Sequence, residues 1–208
     1  MLEDRSTYDR LLEATISTID AGGVKAVRVR EIAVSAGVKE PSVYHFFGSR
    51  DGLIETALAS RYSRGLMEVI EPLQRLASQA TSLEEFRSVV RTVVTALFSE
   101  DRITVRSVRA DVIGSAQSRS SLKAAIVSAQ REANEAIASV FIDAQRKGWI
   151  RQDVNPLAFA VWYNGMVNGR IYLEMDPTQC SGVAWDSIAI DASMHLLFGE
   201  TPLTDVGA

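Results

Sequence analysis

The chain has 208 residues, a formal net charge of −4, 47% hydrophobic residues and one cysteine, Cys180. That length allows one large domain or a small one joined to a larger one, with apolar residues enough for a full core; the lone cysteine excludes an intrachain disulfide, and the net acidity excludes a generally basic nucleic-acid coat. The start MLEDRSTYDR lacks the layout of a signal peptide, and the longest strongly apolar stretch, Leu157 to Tyr163, is far short of the roughly 20 residues of a membrane span, so the expectation is a soluble, cytoplasmic protein without membrane contact.

Helical spacing dominates, and no sustained strand alternation occurs. Tyr8, Leu11, Leu12, Thr15, Ile16 and Ile19 mark one face of a first helix, with Ser6 and Asp9 as a capping box and Gly22-Gly23 as its stop. Val29, Ile32, Ala33 and Ala36 set a short second helix that Gly37 ends. Pro41 suits the first turn of a third, anchored by Val43 with Phe46 or Phe47. A fourth is expected from about Asp51 to Ile70, stopping near Pro72.

Longer helices follow. Leu83 to Phe98 carries a broad apolar face, and Ile103, Val105, Val108 and Val112 predict another helix, broken by Gly114-Ser115 and the Ser118 to Ser121 cluster. The longest is expected from about Leu122 to Arg146 with Gly148 at its C′ position. Asn155-Pro156 opens a helix expected to last until just before Pro177, and a final one runs from about Val183 to Phe198.

Residues 28 to 50 hold two short helical patterns hinged on Gly37 and ending in aromatic, imidazole and basic side chains, the pattern of a DNA-reading helix-turn-helix. From Val24 to Arg50, five basic residues oppose Glu31 and Glu40, a local balance of +3 on an acidic chain. Positive charge is therefore placed locally, as base and phosphate contacts require. The alternative is a packing corner in an ordinary helical bundle.

Val29-Arg30-Glu31-Ile32-Ala33, Ala36-Gly37-Val38, Ser42-Val43-Tyr44-His45-Phe46-Phe47, Ser49-Arg50 and Leu53-Ile54, taken in order, resemble the TetR family of one-component transcription regulators. Beyond about Leu58 only helix count and order resemble it. Arg28 stands where the family commonly caps with Ser or Thr, at a cost on the order of 1 kcal/mol; Glu40 and Pro41 replace a small or lysine-type residue and a glycine. The resemblance implies an all-α fold, with a helix-turn-helix domain over residues 1–50 and a helical effector-binding and dimerisation domain over 51–208. It also implies a repressor that binds a palindromic operator as a homodimer and is released by a small molecule.

Lys39, Glu40, Pro41 and Ser42 are then placed to meet bases. Tyr44, His45 and Arg50, with Arg28 nearby, look like backbone contacts. Glu40 could accept from cytosine N4 or simply complement the helix dipole. Two-fold binding requires recognition helices about 34 to 36 Å apart or a multiple of that. Gly165 and Gly169, four apart, are candidates for a close-packed dimer interface or for packing within the subunit. Leu97, Phe98, Phe141, Trp162, Tyr163 and Met166 are the candidate effector walls, with Asn164 or Asn168 as polar contacts. Arg106, Arg109 and Arg170 indicate an anionic ligand or solvated faces.

With only His45 and His195, one cysteine and no glycine-rich phosphate loop, no catalytic residue, metal ligand or cofactor is expected. Asp191 and His195, four apart, read as a surface pair. A helical interaction protein with an inactive helix-turn-helix is the alternative to the regulator.

Overall fold

In the computed structural model, which describes residues 6–199, Ser6 opens the first helix, α1 (Thr7–Gly22), by accepting from the Asp9 amide at 3.1 Å while its hydroxyl donates to the Asp9 carboxylate. The N-cap half of the box expected there is formed, and the Gly23 amide closes the other end on the Ile19 carbonyl. The expectation drawn from the first residues, that no leader is present, lies largely outside the described residues. Every regular element among the described residues is helical.

Packing divides the chain into two units. One runs up to Arg64 and includes Val112–Val127; the other takes Gly65–Asp111 and Ser128 onward. These packing units do not part at residue 50, where the division of function is expected.

In the first unit, α1 packs with α2 (Val29–Ser35), α3 (Pro41–Phe47) and the opening turns of α4 (Arg50–Gln79). Leu11, Val27, Ile32, Val43, Leu53 and Ile54 are buried among them, and each such side chain contributes about 1.5–3 kcal/mol by leaving water. Arg61 pairs with Asp20 at 2.5 Å and Arg64 with Glu13, pinning α4 to α1.

Helix α4 does not stop near Pro72. It runs on to Gln79 with the proline inside, because Leu66, Ile70, Leu73 and Ala77 keep a buried stripe at helical spacing through it. Together these outweigh the roughly 3 kcal/mol that an interior proline costs.

The second unit contains α5 (Leu83–Ala96), most of α6 (Ile103–Ala116) and α7 (Ser120–Arg146), α8 (Pro156–Gly169), α9 (Ile171–Met175) and α10 (Gly182–Phe198). Phe86 meets Phe141, Trp149 and Phe198, and Phe141 meets Phe159 at 5.2 Å, an aromatic spine through the unit. Asn155 caps α8 as expected, accepting from the Ala158 amide. The helix expected to reach Pro177 is interrupted at Arg170, and α6 passes through Gly114-Ser115 to Ala116. Its buried stripe also differs: Ile103 is exposed, while Arg106 and Arg109 lie inward with Val112 and Ala116.

Gly52 sits in the first turn of α4, where an added Cβ would overlap the Phe47 carbonyl oxygen. Gly52→Ala should therefore cost about 2 kcal/mol or more in urea unfolding. Gly114→Ala, with nothing within 4 Å of the new carbon, should be neutral or stabilising by up to about 1 kcal/mol.

Candidate nucleic-acid interface and interior cavity

The turn between α2 and α3 depends on Gly37, at φ 68°, a left-handed conformation that side-chain-bearing residues enter at a cost of roughly 1–2 kcal/mol. Around it the Gly37 amide donates to Val34 and the Val38 amide to Ala33. Helix α3 then begins with Pro41 at its first position. Val43 is fully buried, and Phe47 stacks on Tyr8 with centroids 5.0 Å apart. Phe47, not Phe46, is thus the second anchor; Phe46 is 43% exposed and reaches Tyr8 only edge-on.

With the inner face held, Lys39, Glu40, Pro41, Tyr44 and His45 are exposed and Ser42 is half-buried. Glu40 and Tyr44, one turn apart, meet at 3.5 Å, hydroxyl to carboxylate. Glu40 takes helical backbone angles and makes no side-chain cap, so its carboxylate remains at the outer end of α3.

Arg28 and Arg50 are committed closer to home. Arg28 makes no helix cap and donates to the Lys25 carbonyl at 2.6 Å. Arg50 donates through Nε to Val27 at 3.0 Å and through Nη2 to Val24 at 3.1 Å, with Nη1 3.5 Å from Asp51. Both arginines fasten the turn that precedes α2.

The interior candidates separate. Leu97 and Tyr163 line a cavity of about 30 Å³, together with Arg109, Asn164, Ile137 and Val167. Phe98 is buried elsewhere, Phe141 belongs to the aromatic spine, Met166 is half-buried outside the lining and Trp162 is 41% exposed. Burial pushes the Tyr163 phenol well above its ordinary range, so it stays protonated, with its oxygen 3.5 Å from the Val94 carbonyl.

Asn164 accepts from Arg109 Nη2 at 3.3 Å and donates to Asn134 at 2.6 Å, and Gln130 donates to the same Asn134 oxygen. Nearby in sequence, Arg106 pairs with Glu174, and Arg170 with Asp186. Asn134, Glu174 and Asp186 were not legible as site residues. Counting the α6 stripe backward from Ala116 and Val112 would have placed Arg109 and Arg106 on the buried face.

The two glycines of α8 also separate. Nothing lies within 4 Å of a carbon added at Gly165, whereas Gly169 faces Trp185 of α10 in the same chain at 3.8 Å. Around Gly165, Leu157, Val161 and Trp162 are exposed, as are Val183 and Ile188 on α10. Among the described residues no group of His, Cys, Asp or Glu is placed to hold a metal ion, and no helix is long and apolar enough to cross a membrane.

Arg50→Ala should cost about 1–2 kcal/mol in urea unfolding, since two carbonyls lose a charged donor. Arg50→Lys should recover only part of it, because an ammonium lacks the guanidinium fork that spans both.

The family model for bacterial regulatory proteins of the tetR family matches residues 11–57. The HTH-type transcriptional regulator BetI of Stenotrophomonas maltophilia is 31% identical over 101 residues, covering 49% of this chain and 48% of that one. The HTH-type transcriptional repressor KstR2 of Mycolicibacterium smegmatis is 35% identical over 78 residues, covering 34% and 38%. The chain thus spans less than half the length of these curated relatives. A solved structure from Rhodococcus sp. assigned to the TetR-family transcriptional regulators superposes with a TM-score of 0.69 over 92% of this chain and 98% of that one, at 21% identity, a likeness of fold.

Proposed function

Because the chain belongs to the TetR family of bacterial regulatory proteins, we propose that it is a ligand-responsive transcriptional repressor that binds a palindromic DNA operator as a homodimer. Residues 1–50 read DNA, and residues 51–208 hold the effector and the partner subunit. One observation carries the reading: α3 buries Val43 on one side and leaves Lys39, Glu40, Pro41, Tyr44 and His45 exposed on the other. A helix so divided is free to enter a major groove.

Lys39, Glu40, Pro41 and Ser42 meet base edges. Tyr44, His45, Arg28 and Arg50 grip the backbone, the two arginines from the turn they also brace. The repressor sense draws on the name of the mycobacterial relative. The effector sits in the second part, with Leu97 and Tyr163 among its walls, and must bind two conformations unequally, since equal affinity shifts nothing.

A gel shift on the DNA flanking the protein's own gene tests the reading; no shift at low salt would overturn it. In that assay Glu40→Ala should change preference at one base pair by about 1–3 kcal/mol and leave the salt slope unaltered. Arg50→Ala should weaken binding to every sequence and lower the slope by about one ion. An unchanged slope assigns Arg50 to bracing alone.

The subunits pair through the outer faces of α8 and α10, where Leu157, Val161, Trp162, Val183 and Ile188 present apolar surface beside Gly165. Gly165→Leu is a clean probe, because the space around it within the subunit is open. It should yield a monomer by mass in solution with unchanged helix content. A persistent dimer removes Gly165 from the interface.

A further inference from the structure

We propose that the surface cleft where α4, α5 and α7 meet in the second unit binds a small aromatic monocarboxylate, with Lys147 as its counter-ion and Phe86 and Trp149 in its floor. The cleft shares no lining residue with the interior cavity beside Tyr163, and the proposal does not rest on the reading of the chain as a DNA-binding regulator.

The free volume of the cleft is about 210 Å³. An apolar cavity of roughly 150 Å³ already holds a benzene ring, so a ring bearing one carboxylate fits the cleft as it stands. Its floor is apolar: Ala77, Phe86 and Ala144 are buried, and Val140 and Trp149 are half-buried. The two alanines, on α4 and α7, leave the gap that longer side chains would fill. Its rim is polar, with Gln74, Asp143 and Lys147 exposed. An apolar floor with a few polar groups at one edge is the usual makeup of a small-molecule site.

The sign of the ligand follows from which charges already have partners. Asp143 pairs with Arg146 at 2.9 Å, whereas Lys147 makes no ion pair among the described residues; its ammonium lies over the Trp149 ring at 4.3 Å. The backbone fixes this arrangement. Gly148, at φ 72°, turns the chain so that its own amide reaches the Gln145 carbonyl and the Trp149 amide the Ala144 carbonyl, which closes α7 and sets the indole against Phe86, centroids 5.7 Å apart. Those carbonyls are thereby withdrawn from any cation. A cationic ligand would also find Lys147 already on the indole, while a carboxylate can accept from the ammonium where it lies, since three hydrogens serve more than one partner. The Gln74 side chain makes no hydrogen bond among the described residues and can give its amide to the second carboxylate oxygen.

The test uses the full-length protein labelled with ¹⁵N, whose three tryptophans give three indole signals. It is titrated with benzoate and indole-3-acetate, with the amides benzamide and indole-3-acetamide, and with hexanoate and benzylamine. At least one aromatic acid should move the Trp149 signal, which Trp149→Phe identifies by its loss. The matching amide should bind weaker by about fivefold or more, the worth of a partly exposed ion pair. Lys147→Met, which keeps an apolar stem over the indole, should erase that preference, and Lys147→Arg should keep it. The proposal is overturned if neither acid moves the Trp149 signal, if the amide, the amine or hexanoate binds as tightly, or if the acid preference survives Lys147→Met. A Trp149 signal that moves with protein concentration alone gives the cleft to a second copy of the chain and overturns it too. The acid-against-amide comparison on the unaltered protein stands even if a variant fails to fold.

Discussion

The second unit depends on a buried charge cluster centred on Arg106, which is 3% exposed. Its guanidinium donates to Glu174 at 2.6 Å, to the carbonyl of Leu97 at 2.7 Å just past the end of α5, and to that of Ser99 at 3.3 Å, which also accepts from the Arg102 amide. Arg170, at the break between α8 and α9, adds a bond to Asp186 at 2.8 Å, and Gly182 leaves room for its guanidinium, since a Cβ there would lie 2.6 Å from Nη2. Four helices and one helix end are thus tied by side chains that could not be buried singly. The loss of any one would leave an uncompensated charge in a low-dielectric interior.

This cluster lies at the break in the chain after Gly169. Arg170 stands at the break and Glu174 four residues on, and both engage the cluster. The same network holds the backbone of Leu97, a residue of the cavity lining.

In the first unit the constraint is of another kind. Two helices of 7 residues each, α2 and α3, cannot hold themselves together. Val27, Ile32 and Val43 bury their faces, Phe47 stacks on Tyr8, and Arg50 ties the preceding turn by its carbonyls. What remains outside is a short row of polar and aromatic side chains on α3. Because the whole chain is acidic, the proposed affinity for a duplex would rest on those few side chains and on the proposed pairing of two subunits. Helix α4 starts at Arg50, and Gly65, Leu66, Val69 and Ile70 of its later turns line the cavity of the second unit.

Much of this was legible in sequence because its causes act over four residues or fewer. The Ser6 and Asn155 caps, the glycine turn at Gly37, Pro41 at the start of α3 and the apolar stripes of α1, α5 and α7 are local, and the ordered residues from Val29 to Ile54 mark the reading motif by themselves. The tertiary structure decided what depended on distant partners. Pro72 stays inside α4 because Leu73 and Ala77 beyond it are buried. Phe46 and Trp162 turn outward because Phe47 and Tyr163 take the inner places. Gly169 meets Trp185 of its own chain, while Gly165 is left open. Arg106 and Arg109 take the inner face of α6 while Val105 and Val108 are only half-buried, because a guanidinium enters the interior only where partners await it, and Glu174 is 68 residues away from Arg106. No pattern along the chain announces such a partner; only the packing that delivers it makes the burial of the charge possible.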